Sequence, residues 1–348
     1  VDLNAMEEIN KILETNRLFG SQIKDAWQAV HEIHLQGYSQ FERVIVCGMG
    51  GSALGGRVAQ ALFASQIKAS MEVVTGYSIP AYVDPKTLVV VSSYSGNTEE
   101  TVSCFREALQ RNLKTFAISA GGKVQEIAQE YSVPHYKIEP VHNPSNQPRM
   151  AVGYSIGGLL ALFSLTGLVN TTSEEIDEVV LFTKNKAQEF EQDSDIDYNH
   201  ATQLAKKIHN KLPILVASEH LVGSTHVVTN QINESAKSFA ASFDLPELNH
   251  HLMEGLSNPK ALTRNMFFIF FESDFYHERV KKRYPLTKEV VEKNMIETYV
   301  YKSTGATPLK QAAEVILLGS YLQAYLALEY RENPLEIPWV DYFKKRLI

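Results

Sequence analysis

The segment Arg43-Val44-Ile45-Val46-Cys47-Gly48-Met49-Gly50-Gly51-Ser52 does most to limit what this chain can fold into. Its apolar residues are consecutive rather than alternating. That pattern suits a strand covered on both faces, and such strands belong to parallel sheets flanked by helices. Glycines follow at once, where they allow a tight turn and close approach of the backbone to a ligand. A helical pattern begins at Ser52. Further strands are predicted at Glu72–Thr75, Thr87–Ser92, Lys114–Ser119 and Val133–Ile138, with helices at Asn97–Gln110 and Lys123–Tyr131. Alternating β and α signals predict a doubly wound parallel sheet with right-handed crossovers.

The pattern restarts in the second half. Strands are predicted at Pro213–Ser218, Asn265–Glu272 and Ile296–Lys302, and helices at Leu221–Ser238, Leu286–Lys293 and Pro308–Tyr330. A chain of 348 residues is long enough for two such domains. We divide it into residues 1–160, which carry the glycine loop, and residues 161–348. Both halves open alike, VIVCGMGGSALGG and ILVASEHLVGSTH, a weak sign of duplication.

Ala151–Val169 runs 19 residues without a charge, long enough to cross a bilayer. It contains four glycines, and no cluster of Lys or Arg flanks it. We read it as a buried helix between domains or subunits, not as a membrane span. The formal net charge of −7 argues against nucleic acid as a partner. It also requires any anionic substrate to be held by local donors. The two cysteines, Cys47 and Cys104, do not make a disulfide scaffold and point to a reducing cytoplasm. The opening VDLNAMEEIN lacks the basic flank and apolar run of a signal peptide.

Two motifs carry chemistry. In the first, Gly50, Gly51 and Ser52 end a strand-to-helix turn whose free N–H groups form an anion site. Gly48, Gly50 and Ala53 also fit a dinucleotide fingerprint. That fingerprint requires an acidic residue at the end of the second strand, and Val74-Thr75-Gly76 stands there. No nicotinamide or other cofactor is therefore expected. The second motif, Ser93-Tyr94-Ser95-Gly96-Asn97-Thr98-Glu99-Glu100-Thr101, follows a strand and opens a helix. Asn97 or Thr98 would serve as an ordinary N-cap. A cap needs one hydroxyl, however, whereas Ser93, Ser95 and Thr98 supply three within six residues. Hydroxyls and amides so crowded suit a phosphate monoester.

These motifs together resemble the sugar-isomerase (SIS) domains of the bifunctional phosphoglucose/phosphomannose isomerases. Tyr77-Ser78-Ile79-Pro80, Gln147-Pro148-Arg149, Asn233-Glu234-Ser235-Ala236-Lys237, Pro246-Glu247-Leu248-Asn249-His250 and Phe343-Lys344-Lys345-Arg346-Leu347 extend the resemblance in shared order over nearly the whole chain. It implies two SIS domains and conversion of glucose 6-phosphate to fructose 6-phosphate. Mannose 6-phosphate is a second implied substrate.

That reaction needs a base to move a proton between C2 and C1, and donors to hold the enediolate. Glu234 lies seven residues after Val227 on one predicted helix face, where partial desolvation would tune a carboxylate. Alternatively it forms a surface ion pair with Lys237. The resemblance assigns it as the base. Histidine suits ring opening and transfer of the O1 hydrogen. The resemblance assigns that role to His250, with His251 adjacent. Glu254 follows four residues later, but no zinc-ligand spacing accompanies it, and no metal is expected. The resemblance casts Arg149 as the cation facing the enediolate and Lys344, next to Lys345, as a substrate contact. It also implies a homodimer in which His250 serves the neighbouring subunit, and Ala151–Val169 would find a dry partner at that interface. One stretch departs from the family, which carries a threonine shortly before the lysine. Asn333-Pro334-Leu335-Glu336-Ile337-Pro338 has no hydroxyl, which argues against mannose 6-phosphate and leaves the glucose reaction intact.

Overall fold

The computed structural model describes residues 3–191 and 199–347. Helices α1 (Leu3–Arg17) and α2 (Phe19–His31) come first. They are followed by β1 (Arg43–Cys47), α3 (Gly51–Phe63), β2 (Ser70–Val74), β3 (Thr87–Ser92), α4 (Glu99–Gln110), β4 (Lys114–Ser119), α5 (Gly122–Glu130) and β5 (His135–Lys137). A 3-10 turn at Pro148–Met150 leads into α6 (Val152–Leu165), and α7 (Ser173–Glu191) follows. The second half comprises α8 (His200–Ile208), β6 (Leu212–Ala217), α9 (Val222–Ser235), β7 (Ala241–Asp244) and two single-turn helices, α10 (Leu252–Gly255) and α11 (Lys260–Thr263). It continues through β8 (Met266–Glu272), α12 (Glu278–Lys293), β9 (Glu297–Lys302), α13 (Pro308–Tyr330) and α14 (Pro338–Leu347).

The chain forms two compact units, one of residues 17–184 and one of residues 1–16 with 185–348. The division expected at 160/161 thus falls inside the first unit. The first unit holds a parallel sheet in the order β2-β1-β3-β4-β5. The second holds a parallel sheet in the order β7-β6-β8-β9. The α/β class read from the sequence is the class observed. In each sheet strand order reverses beside the first strand, and that end of a doubly wound sheet is where ligands bind.

Helix α6 explains why the boundary moved. Its residues from Val152 to Phe163 are all buried. A β-carbon added at Gly157 would lie 2.3 Å from the carbonyl oxygen of Ile23 on α2, and one at Gly55 on α3 would lie 2.7 Å from Cβ of Ser155. Small residues bring these helices into backbone contact, so α2 and α3 of the same unit cover α6. The uncharged stretch therefore does not need a second subunit to become dry. Among the described residues no helix is long and apolar enough to cross a membrane.

In the second unit a buried carboxylate organises the loop after β9. Glu314 of α13 is fully buried and accepts from the Tyr301 hydroxyl at 2.8 Å, Thr304 N at 2.8 Å, the Thr304 hydroxyl at 2.8 Å and Gly305 N at 2.9 Å. The ammonium of Lys186 stands 3.3 Å from it. A buried charge requires such pairing and hydrogen bonding.

Candidate active site

The two loops read as phosphate-binding meet at the C-terminal ends of β1 and β3. Gly50 has φ +48°, and a β-carbon there would meet nothing within 4 Å, so glycine is required by the backbone and not by crowding. Tyr94 N donates to Ser52 Oγ at 2.8 Å, which ties the second loop to the first. Because Ser52 Oγ accepts that bond, its own proton remains directed elsewhere.

The second loop is a tight turn. Gly96 N donates to the carbonyl of Ser93 at 2.9 Å and to its Oγ at 3.1 Å. Ser93 Oγ and Thr98 Oγ1 lie 2.9 Å apart. Ser93 is fully buried and already accepts from Gly96. Either hydroxyl can donate in this pair, which couples Thr98 to the buried serine. Thr98 precedes α4 and makes no side-chain cap bond. The first-turn amides of α4 accordingly lack a side-chain acceptor from Thr98, the condition for an anion at a helix start. Ser95 is exposed, and its Oγ accepts from Asn97 N at 3.3 Å. The hydroxyl of Tyr94 accepts from Asn143 Nδ2 at 3.0 Å, and burial pushes the Tyr94 phenol up from its ordinary value. With its amide on Ser52 and its hydroxyl on Asn143, Tyr94 braces the loop from behind.

Arg149 belongs to the same unit. It sits in the Pro148–Met150 turn with 1% of its surface exposed, and its Nη1 donates to Gln147 Oε1 at 2.8 Å. A β-carbon at Gly51 would lie 3.0 Å from the Pro148 carbonyl and 3.0 Å from Arg149 N. The glycine loop and the Arg149 turn are thus in backbone contact, which only a residue without a side chain permits.

The remaining sequence candidates lie in the second unit. Glu234 is half-buried in the last turn of α9. Its neighbour Asn233 donates Nδ2 to Ala240 O at 3.0 Å and accepts from Ala240 N at 3.2 Å, which pins the helix end beside the start of β7. His250 is exposed in a 3-10 turn beyond the far end of β7. Asn249 holds that turn through Thr287 Oγ1 at 2.8 Å and Arg283 Nη1 at 3.1 Å. Helix α9 runs back along the sheet, so Glu234 and His250 of one chain sit at opposite ends of the strands. Four residues of β7 rising about 3.3 Å each separate them by about 13 Å or more.

The C-terminal segment lies at the Glu234 end. Asn210 N, just ahead of β6, donates to the Tyr330 hydroxyl at 2.7 Å, and Lys237 Nζ bonds both Ser235 O and Asn333 O. Lys344 and Lys345 are exposed on α14, none of whose residues is buried. Among the described residues no cluster of three His, Cys, Asp or Glu could hold a metal ion.

The two halves differ in how their loops are filled. In the second unit His220 Nε2 and the Ser273 hydroxyl both engage Gln311 Oε1, at 3.1 and 2.5 Å, while Glu314 engages Thr304 and Gly305. Buried side chains of α13 thus take up the loop donors there, whereas in the first unit the loop hydroxyls themselves accept from the Tyr94, Gly96 and Asn97 amides. Sequence reading missed the bracing residues Gln22 and Asn143, because isolated amides in a helix and a loop form no motif, and it quoted Gln147 without a role.

Residues 38–155 match the SIS domain family, and residues 197–347 match the family described as the bacterial phospho-glucose isomerase C-terminal SIS domain. A bifunctional phosphoglucose/phosphomannose isomerase of Caldicellulosiruptor bescii is 32% identical over 332 residues, covering 94% of this chain and 96% of that protein. One of the same description from Aquifex aeolicus is 27% identical, covering 98% of this chain and 99% of its own. A D-glucosamine-6-phosphate 4-epimerase of Sulfolobus acidocaldarius is 27% identical over 69% of this chain and 74% of its own length. Among solved structures, a hypothetical protein of Thermus thermophilus superposes with a TM-score of 0.76 at 14% identity, over 99% of this chain and 94% of that one. Glucosamine-6-phosphate deaminase of Thermotoga maritima gives 0.67 at 14% identity, over 95% and 97%.

Proposed function

The chain belongs to the bifunctional phosphoglucose/phosphomannose isomerase family, and from that premise we propose that it interconverts glucose 6-phosphate and fructose 6-phosphate, with mannose 6-phosphate as a second aldose. The observation that carries the reading is the paired hydroxyls of Ser93 and Thr98 on a loop system joined, through Gly51, to the turn of the buried Arg149. An anion site and a fixed cation on one rigid frame suit a phosphorylated substrate whose reaction develops negative charge.

In this reading the phosphate is bound by Thr98, Ser52, Ser95 and the amides at Gly50, Gly51 and the start of α4, with Ser93 and Tyr94 supporting them. His250 protonates the ring oxygen and takes the O1 hydrogen, which opens the ring. Glu234 removes the C2 proton, the electron pair forms the enediolate, a proton passes from O2 to O1, and the same carboxyl returns its proton to C1. Arg149 holds the charge that develops on the enediolate oxygens, and Lys344 contacts the substrate. The active form is a cytoplasmic homodimer in which His250 is lent to the partner. The opposite placement of Glu234 and His250 within one chain supports this exchange.

A coupled assay on glucose 6-phosphate and mannose 6-phosphate tests the proposal. Turnover of the glucose ester carries it, and the ratio of the two rates measures the effect of the hydroxyl-free stretch Asn333–Pro338. Phosphosugar binding without turnover would instead make the chain a binding module.

A further inference from the structure

Arg149 rides on residues 141–151, a segment held by isolated turns such as Asn146 N to Asn143 O at 2.9 Å and Met150 N to Gln147 O at 3.0 Å. Gln22 of α2, fully buried, spans both ends of the segment. Its Nε2 donates to His142 O at 2.9 Å and to Met150 O at 3.0 Å, and its Oε1 accepts from Gly153 N at 3.2 Å. The Tyr154 hydroxyl accepts from His142 N at 2.8 Å. These bonds hold the ends of the segment and leave its middle to Asn143.

Asn143 is itself buried. Its Nδ2 donates to the Tyr94 hydroxyl at 3.0 Å and to Gln147 O at 3.2 Å, and its Oδ1 accepts from the Ser145 hydroxyl at 2.6 Å. Gln147, held by its backbone, turns its side-chain oxygen to Arg149 Nη1 at 2.8 Å. At the other end of this chain of bonds, Tyr94 is fastened through its amide to Ser52 and through its carbonyl to Ala120 N at 2.9 Å. Every link from Ser52 through Tyr94, Asn143 and Gln147 to Arg149 is a hydrogen bond between groups of one compact unit.

We propose that Asn143 is a positioning residue that locks the Arg149 guanidinium to the phosphate-binding loops, so that a substrate anchored by its phosphate meets the cation at a fixed distance. The proposal rests on the isomerase reading for what Arg149 does, but not for where Asn143 holds it. The amide is suited to the task because one nitrogen serves two acceptors while its oxygen takes a third bond, which no other side chain of that size provides. Asn143 touches neither phosphate nor reacting carbon in this scheme. Its loss should misplace the cation and leave phosphate binding intact, and a misplacement on the order of 1 Å is enough to lower turnover about a hundredfold.

The test uses Asn143→Asp, which keeps the acceptor for Ser145 and sets an oxygen against the Gln147 carbonyl, which has no proton to give, together with Tyr94→Phe, which removes the phenol oxygen. Each should lower kcat about ten- to hundredfold, with KM and inhibition by inorganic phosphate within about twofold of wild type. The double variant should be no worse than the poorer single one, as expected for two ends of one bond. A second readout needs no turnover. Labelling of Arg149 by an α-dicarbonyl, followed by peptide mass spectrometry, should be slow in the wild-type protein and at least several-fold faster in either variant. Unchanged kcat with unchanged labelling overturns the proposal, as does a loss confined to KM or additive losses in the double variant. If Asn143→Asp fails to fold, Tyr94→Phe decides by the same two measurements. A wild-type chain inactive on both sugar phosphates would defeat the isomerase reading alone, and the labelling and phosphate binding would still judge Asn143.

Discussion

Thr98 precedes the first turn of α4 yet keeps its hydroxyl on Ser93, 2.9 Å away, and makes no cap bond to the helix it opens. An ordinary N-cap threonine turns its oxygen to the second or third amide of the helix, and its replacement by alanine costs about 0.5–2 kcal/mol of stability. Here that contribution is absent. The hydroxyl is paired instead with the buried Ser93.

Thr98→Ala should therefore separate binding from stability. The unliganded protein should lose about 0.5–1.5 kcal/mol, the contribution of the hydroxyl pair with Ser93, and nothing from a cap. Binding of glucose 6-phosphate should weaken by roughly 1.5–3 kcal/mol, the range for a hydrogen bond to a charged group. Denaturant titration without ligand and steady-state kinetics with it make the comparison. A stability loss with unchanged KM would identify Thr98 as structural and nothing more.

Glu234→Gln keeps the size of the side chain and its place in the last turn of α9, and removes the base. Isomerisation should fall by about two to four orders of magnitude, with KM little changed. Exchange of solvent deuterium into C2 should disappear with it, which distinguishes loss of proton transfer from slow ring opening. Turnover near wild type would remove Glu234 from the mechanism.

Much of this architecture is written locally. Consecutive apolar residues mark β1, β3 and β8 as central strands, and the loop glycines and hydroxyls mark the phosphate site. What was not legible depends on tertiary partners. Strand β7, Ala-Ser-Phe-Asp, is short and lies at the sheet edge, and only pairing with β6 makes it a strand. Helix α12 starts at Glu278, two turns ahead of the predicted Leu286, and carries Pro285 inside it, where proline ordinarily ends a helix. The cover on α6 depends on which residues its neighbours bring to it, and Ile23 against Gly157 and Gly55 against Ser155 are not marked as such in sequence. Asn143 and Gln22 gain their roles only from the carbonyls that the fold brings to them.

The stability of the chain should fall as the pH is lowered through the histidine range. Burial lowers the pKa of His220, whose Nε2 sits on Gln311, and of His135, whose Nε2 lies 2.9 Å from the Ser119 hydroxyl. In the unfolded chain each titrates near the ordinary value, about 6.5. Between the lowered folded pKa and that value the unfolded state holds more protons, so stability rises with pH there. The contribution is complete above about pH 7 and is lost as pH falls below about 6.5. Urea titrations from pH 7.5 to 5.5 should show this slope, and His220→Asn should flatten it. An identical slope in the variant would remove His220 as a source.

The final prediction concerns which chain completes the site. Glu234 lies at the end of its sheet where β7 begins, and His250 lies beyond the end where β7 stops. One chain therefore does not bring its own pair together, whereas a two-fold axis can pair Glu234 of one subunit with His250 of the other. Glu234→Gln and His250→Ala proteins, each inactive alone, should regain activity when refolded together. Random pairing makes half the dimers mixed, and each mixed dimer has one site with both native residues and one with neither. Roughly a quarter of all sites should recover by the symmetry of the pair. Activity should follow the binomial dependence on mixing ratio, with its maximum at equal proportions. If His250 instead serves its own chain, no mixture contains an intact site, and activity stays at background at every ratio.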